Sequence, residues 1–226
     1  MSSISRLFAV ALVALGVAAV PSAEAVTFSF DDVSDMPSSA FAACFGGDRC
    51  ASTMTFTDVG SGISVTASVF LPVGSAKQIM QDLTPGAGGG LGIVDSASDM
   101  GPSDNVSAGE GILLHFNTPV VLLSVGFDRD HGPSFVACGG PGSCSDFDFS
   151  TDGVTFSEDL ALSSSVAFAA TSGTDFYFRH NGQGKDDFYI ASASVDVESV
   201  PEPGTLLLLG SGIVGLAGRA RCRNRS

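Results

Sequence analysis

Residues 145–160 read SDFDFSTDGVTFSEDL. Apolar and polar side chains alternate on both sides of a Ser150–Gly153 break, and a period of two belongs to β-strands. The pattern predicts a hairpin in which Phe147, Phe149 and Phe156 face a core, Asp146, Asp148 and Ser157 face solvent, and Ser150 to Gly153 make the turn. The same alternation recurs in VTFSF (26–30), TMTFT (53–57), ISVTASVF (63–70), GILLHF (111–116), VVLLSVGFD (120–128), VTFS (154–157), TDFYFRH (174–180) and FYIASASVDV (188–197). Most of these stretches are rich in Val, Phe, Thr or Tyr, and turn formers separate them. Many short strands without βαβ spacing predict an all-β chain folded as an antiparallel β-sandwich. Only GSAKQIMQDL (74–83) offers a helix, and a short one. Residues 84–111, with eight glycines and little alternation, read as one long loop, and such loops tend to carry function.

The chain ends carry different signals. Arg6, the apolar run Leu7–Val20 and the Ala23-Glu24-Ala25 triplet make a secretory signal peptide over residues 1–25, cleaved after Ala25. Of ten Lys+Arg, five lie in the two terminal segments, against only two of the 24 acids, so the body carries 22 acids and five bases. Such a surface repels nucleic acid and anionic lipid, which excludes nucleic-acid partners. Cys44, Cys50, Cys138 and Cys144 are an even set in an exported chain and therefore expected disulfides. Of the three connectivities, the simplest is two local bridges, 44 to 50 and 138 to 144, each contributing roughly 2 kcal/mol in the chain-entropy model. A zinc site of four thiolates is the competing reading, but it wants ligands two to four residues apart and a reducing compartment.

At the C-terminus, Val200-Pro201-Glu202-Pro203-Gly204 leads into an apolar run, Thr205–Gly218, and a stub with Arg219, Arg221, Arg223 and Arg225. Fourteen residues are short for a membrane-spanning helix, which needs about 20. The arginines favour the cytoplasmic side. The flanking prolines break strand and helix and leave the triplet extended.

Triplet, apolar run and basic stub in this order resemble the PEP-CTERM sorting signal of exopolysaccharide-forming Gram-negative bacteria, also described as an ice-binding-protein C-terminal domain. Residues 1–25 are expected to form an N-terminal signal helix and the apolar run a short transmembrane-like C-terminal helix; the resemblance implies recognition at Pro201, Glu202 and Pro203, in a signal that includes Gly204, by an exosortase-type protease. Arg219, Arg221 and Arg223 complete that signal. It also implies export across the inner membrane, transient membrane insertion and delivery to the cell surface or extracellular matrix. The expected division is a signal peptide (1–25), a β-sandwich domain (26–199) and a sorting or anchor segment (200–226). More loosely, residues 90–127 and DDFYIASASVDV (186–197) resemble β-sandwich passengers of that family. Ser150-Thr151-Asp152-Gly153 is similar to a hairpin of galactose-binding-like jelly rolls.

Calcium is the chemistry the body best suggests, because hard cations take several oxygens and Asp95, Asp99, Asp104, Asn105 and Glu110 fall within sixteen residues. Asp99, Asp104, Asn105 and Glu110 are the candidate ligands, although their spacing matches no EF-hand. No cofactor is required. Neither G-x-S-x-G nor H-E-x-x-H occurs, and His115, His131 and His180 sit in ordinary settings. The expected role is therefore non-enzymatic, structural or adhesive at the surface. A calcium-dependent module for exopolysaccharide is the alternative, with Tyr177 and Tyr189 as the only tyrosines and no tryptophan to stack on sugars.

Overall fold

The computed structural model describes residues 25–32, 36–44, 48–71, 76–83, 89–94, 105–129, 146–180 and 187–197. The expected signal helix, tail helix and Cys138–Cys144 bridge lie outside these residues. The described residues form twelve strands: β1 (Val26–Ser29), β2 (Ala42–Ala43), β3 (Arg49–Ala51), β4 (Thr53–Thr57), β5 (Ser64–Leu71), β6 (Gln78–Asp82), β7 (Gly90–Val94), β8 (Gly111–Arg129), β9 (Asp146–Ser150), β10 (Ser157–Ala161), β11 (Val166–Arg179) and β12 (Phe188–Val197). Every pairing is antiparallel.

β8 organises the molecule. The sequence divides it at Asn117-Thr118-Pro119, yet it runs unbroken for 19 residues. Its first half pairs with β5 up to Phe116, and its second half pairs with β12 from Val120. β11 follows both halves, with a register shift between Gly173 and Asp175. Pro119 has no N–H to give a ladder, and it stands where β8 leaves one partner for the other. The change of partner folds one continuous sheet over a common core.

That core is rich in phenylalanine. Phe127 meets Phe147 at 4.8 Å and Phe188 at 5.4 Å, Phe149 meets Phe178 at 5.3 Å, and Phe28 of β1 meets Phe116 of β8 at 6.0 Å. Each fully buried ring contributes about 1.5–3 kcal/mol by leaving water. A second, smaller cluster holds Cys50, Met80, Val94 and Tyr189, with Cys44 packed against it. Tyr189 is thus an interior residue, which leaves Tyr177 as the tyrosine available to a ligand.

Four expectations are corrected. Residues 78–82 are a strand and not part of a helix, because β6 is paired on both edges, by β3 and β7, and Ile79 to Asp82 are all buried. The long loop is interrupted by β7, whose glycines admit close packing: a Cβ on Gly90, at φ +135°, would collide with the Ile190 carbonyl of β12. VTFS (154–157) is not a strand; Val154 and Thr155 lie in the turn and β10 begins at Ser157. Phe156 accordingly stays outside the core and stacks on Phe70 at 6.2 Å. Lastly, Asp146 and Asp148 do not face water, since all five residues of β9 are buried.

Candidate functional site

The acidic loop closes on a polar knot just before β8. Ser107 N–H donates to Glu110 Oε2 at 2.7 Å, and Glu110 N–H donates back to the Ser107 carbonyl at 2.9 Å. This reciprocal pair makes a tight turn over 107–110, with Gly109 at φ +80°. Ser107 Oγ donates to Asn105 Oδ1 at 2.7 Å, and Lys77 Nζ meets Glu110 Oε1 at 2.6 Å. Both Asn105 and Glu110 are buried. The structure therefore brings together two of the four candidate calcium ligands and supplies Lys77, which sequence reasoning missed. Asp99 and Asp104 lie outside the described residues. Among the described residues no three His, Cys, Asp or Glu side chains group as metal ligands.

The knot is tied to the end of β11. Gly109 N–H donates to the His180 carbonyl, and His180 N–H donates to the Glu110 carbonyl. The buried His180 imidazole lies 3.9 Å from Asp187. Burial holds its pKa below the ordinary 6.5, against the opposing pull of Asp187, Asp146 and Asp148. On β8, Asp128 is shifted the other way for a carboxylate: burial raises it, Asp31 adds repulsion, and Gly89 N–H at 3.3 Å offsets part of both.

The β9–β10 hairpin holds a buried carboxylate that pairs with the partly exposed Arg179 of β11. Asp148 stands directly opposite Arg179 in the ladder, accepts Arg179 Nε–H at Oδ2 (2.8 Å) and accepts Asp159 N–H at Oδ1 (3.1 Å). The guanidinium lies 3.9 Å above the Phe156 ring. An aspartate expected to face solvent is thus sealed in by its cross-strand partner and that partner's aromatic cover. On the exposed part of the sheet, His115 Nδ1 and Asp175 Oδ1 lie 2.7 Å apart; His131 lies outside the described residues.

Of the four cysteines expected to pair, Cys44 and Cys50 are joined by a disulfide with Cα atoms 5.7 Å apart. Cys44 N–H donates to the Asp48 carbonyl, so the bridge closes the β2–β3 hairpin. Cys138 and Cys144 lie outside the described residues.

Both ends of the folded body meet at one place. β1 opens the body at Val26 and pairs with β12, which ends it, in the register Val26 to Val195. A cleft of about 660 Å³ lies there, lined by Val26, Thr27, Val197 and the β4–β5 turn residues Asp58, Gly60 and Ser61. Ala25, the residue before the expected signal cleavage, also borders it and is exposed; Ala23 lies outside the described residues. Ser61 N–H donates to Asp58 Oδ2 at 2.7 Å, and the Ser61 hydroxyl and N–H together hold the Asp58 carboxyl below its usual pKa. Val59, at the tip of this turn, is 92% exposed.

Pro201 to Gly204 and Arg219 to Arg223 lie outside the described residues, four and more positions beyond the end of β12. No helix among the described residues is long and apolar enough to cross a membrane. No curated protein and no solved structure matches the chain. A family model does match its end: residues 199–221 carry a PEP-CTERM protein-sorting motif, which marks an exported, exosortase-targeted protein of the kind that Gram-negative bacteria sort to the cell surface, with the β-rich body as its passenger.

Proposed function

We propose that the body is a non-enzymatic structural or adhesive protein of the cell surface or extracellular matrix, held at the membrane by its tail until an exosortase removes it. The observation that carries this reading is the sorting motif directly following the last strand of a folded all-β passenger. In the same reading the chain divides into signal peptide (1–25), body (26–199) and sorting segment (200–226). The body would then be a jelly-roll or galactose-binding-like sandwich, with no cofactor required. Sugars on its surface would meet the partly exposed Phe70, Phe156 and Tyr177, which pack on one another. The test is to produce the full chain beside a form ending at Val197 in a host that has the processing enzyme. The full chain should reach the outer surface, and the truncated form should remain in the periplasm. Equal surface display of both contradicts the reading.

A second reading, calcium-dependent binding of exopolysaccharide, is favoured by the buried juxtaposition of Asn105 and Glu110 through Ser107. Calcium would have to displace Lys77 from Glu110. A ligand that binds only the native state raises apparent stability as RT ln(1 + [L]/Kd). This reading expects the oxidised protein to melt several degrees higher in millimolar calcium than in EDTA, with the rise lost in Asp104→Ala and Glu110→Ala. No rise in the parent protein removes it.

A further inference from the structure

We propose that the β4–β5 turn and the cleft beside it form a contact surface for the membrane protease that processes the tail, a second recognition element in the folded body. The inference rests on the tail reading and concerns a different part of the chain.

Reach is the first argument. The described body ends its last strand at Val197, and Pro201 follows four residues later. Four residues span at most about 14 Å when fully extended. A protein of only 100 residues has a radius of gyration of about 13 Å. An enzyme whose active site holds Pro201 to Pro203 therefore abuts the end of the body from which β12 leaves. The residues it meets there are those that line the cleft with Val197: Val26 and Thr27 of β1, and Asp58, Gly60 and Ser61 of the turn.

The surface itself is the second argument. The tip of a tight hairpin normally carries polar or small residues, and Asp58, Gly60 and Ser61 fit that pattern. Val59 does not: it is 92% exposed, between two residues that line the cleft. The turn is held in shape by Asp58 itself, which accepts the Ser61 N–H and whose carbonyl accepts the Gly62 N–H, with Gly62 at φ +74°. Val59 is thus presented on a fixed scaffold beside an open cleft. An acidic body has little attraction for anionic lipid, so a protein surface is the better match for this apolar tip.

The experiment follows conversion of precursor to processed product from the full-length chain, in cells that contain the processing enzyme. Val59→Asp and Ser61→Trp should slow conversion by roughly fivefold or more. Val154→Asp, on the other highly exposed valine among the described residues and away from the cleft lining, should convert at the parent rate. Inserting about twelve Gly/Ser residues after Val197 should restore both slow variants, because a flexible tether lets the enzyme reach the motif without meeting the body. Alanine at 201–203 serves as the control for the tail reading. Parent-rate conversion of both turn variants, with the alanine control blocked, overturns the contact and leaves the tail reading standing. Slow conversion that the insertion does not restore also overturns it, assigning the defect to folding, export or lipid contact. Parent-rate conversion of the alanine control overturns the tail reading itself.

Discussion

Asp148 and Asp152 lie four residues apart in one hairpin and are held in opposite ways. Asp148 is fully buried in β9, bonded to Arg179 and to the Asp159 N–H. Asp152 is exposed in the turn, where its Oδ1 accepts the Val154 and Thr155 N–H groups at 2.8 Å and the Ser150 hydroxyl at 2.8 Å. The buried carboxylate depends on one cation placed by register, and the exposed one on backbone donors placed by the turn. An acidic chain with five bases in its body can therefore bury a carboxylate where a cross-strand arginine meets it, and in the neighbouring turn it satisfies another largely with backbone N–H groups.

The first way to break this comparison is to remove the cation. Arg179→Leu should destabilise the protein by about 3–5 kcal/mol, because it leaves the Asp148 charge buried without its ion-pair partner. Asp148→Asn should cost clearly less, since Arg179 retains access to water. Equal losses in chemical denaturation would show that the pair behaves as a surface contact. Glu110 sharpens the contrast, since it combines both devices, an ammonium and an N–H. Lys77→Met should cost about 1–3 kcal/mol and should not change the Asp148 environment. A loss comparable with that of Arg179→Leu would mean that the N–H contributes little.

A smaller effect is expected at His180. Its folded pKa is lowered by burial, so the neutral form is favoured by folding. The corresponding stability is complete above the ordinary pKa of 6.5 and is lost as pH falls through the depressed folded value. Denaturation midpoints should decline below pH 6.5 in the parent and decline less in His180→Asn. A midpoint that rises on acidification would mean that Asp187, Asp146 and Asp148 outweigh burial. Smallest of all, Asp152 should titrate at about 2 in the folded protein, because donors from Thr155, Val154 and Ser150 favour its charged form. Its contribution is present above the ordinary value of 3.8 and is lost as pH falls through about 2. A carboxyl carbon resonance with a midpoint near 3.8 would show that the turn donors are not engaged.

The same hairpin explains what the sequence makes legible. A strand buried on one face alternates, and β4, β5 and both halves of β8 are readable for that reason. Alternation carries less information where both faces are covered, as in β6, β7 and β9. QIMQD then looks helical, GLGIV looks like loop, and the aspartates of DFDFS look exposed. The division at Pro119 has a different origin: a proline stops a ladder bond without stopping the chain's extended course. At the candidate sites, the Cys44–Cys50 bridge is legible from local spacing. The partners Lys77 and Arg179 are 33 and 31 residues from Glu110 and Asp148; register aligns Arg179 with Asp148, and only the folded chain brings Lys77 to Glu110. The tail is legible because its elements are consecutive in the chain and need no folding to be recognised.

The central claim is that this body is cargo and its tail an address. The most direct measurement is the intact mass, with both terminal peptides sequenced, of the protein recovered from the surface of a Gram-negative host containing the processing enzyme. The account predicts an N-terminus at Val26 and a C-terminus close to Pro201–Pro203, with the apolar run and arginine stub gone. A surface protein that retains residues 205–226 would contradict it.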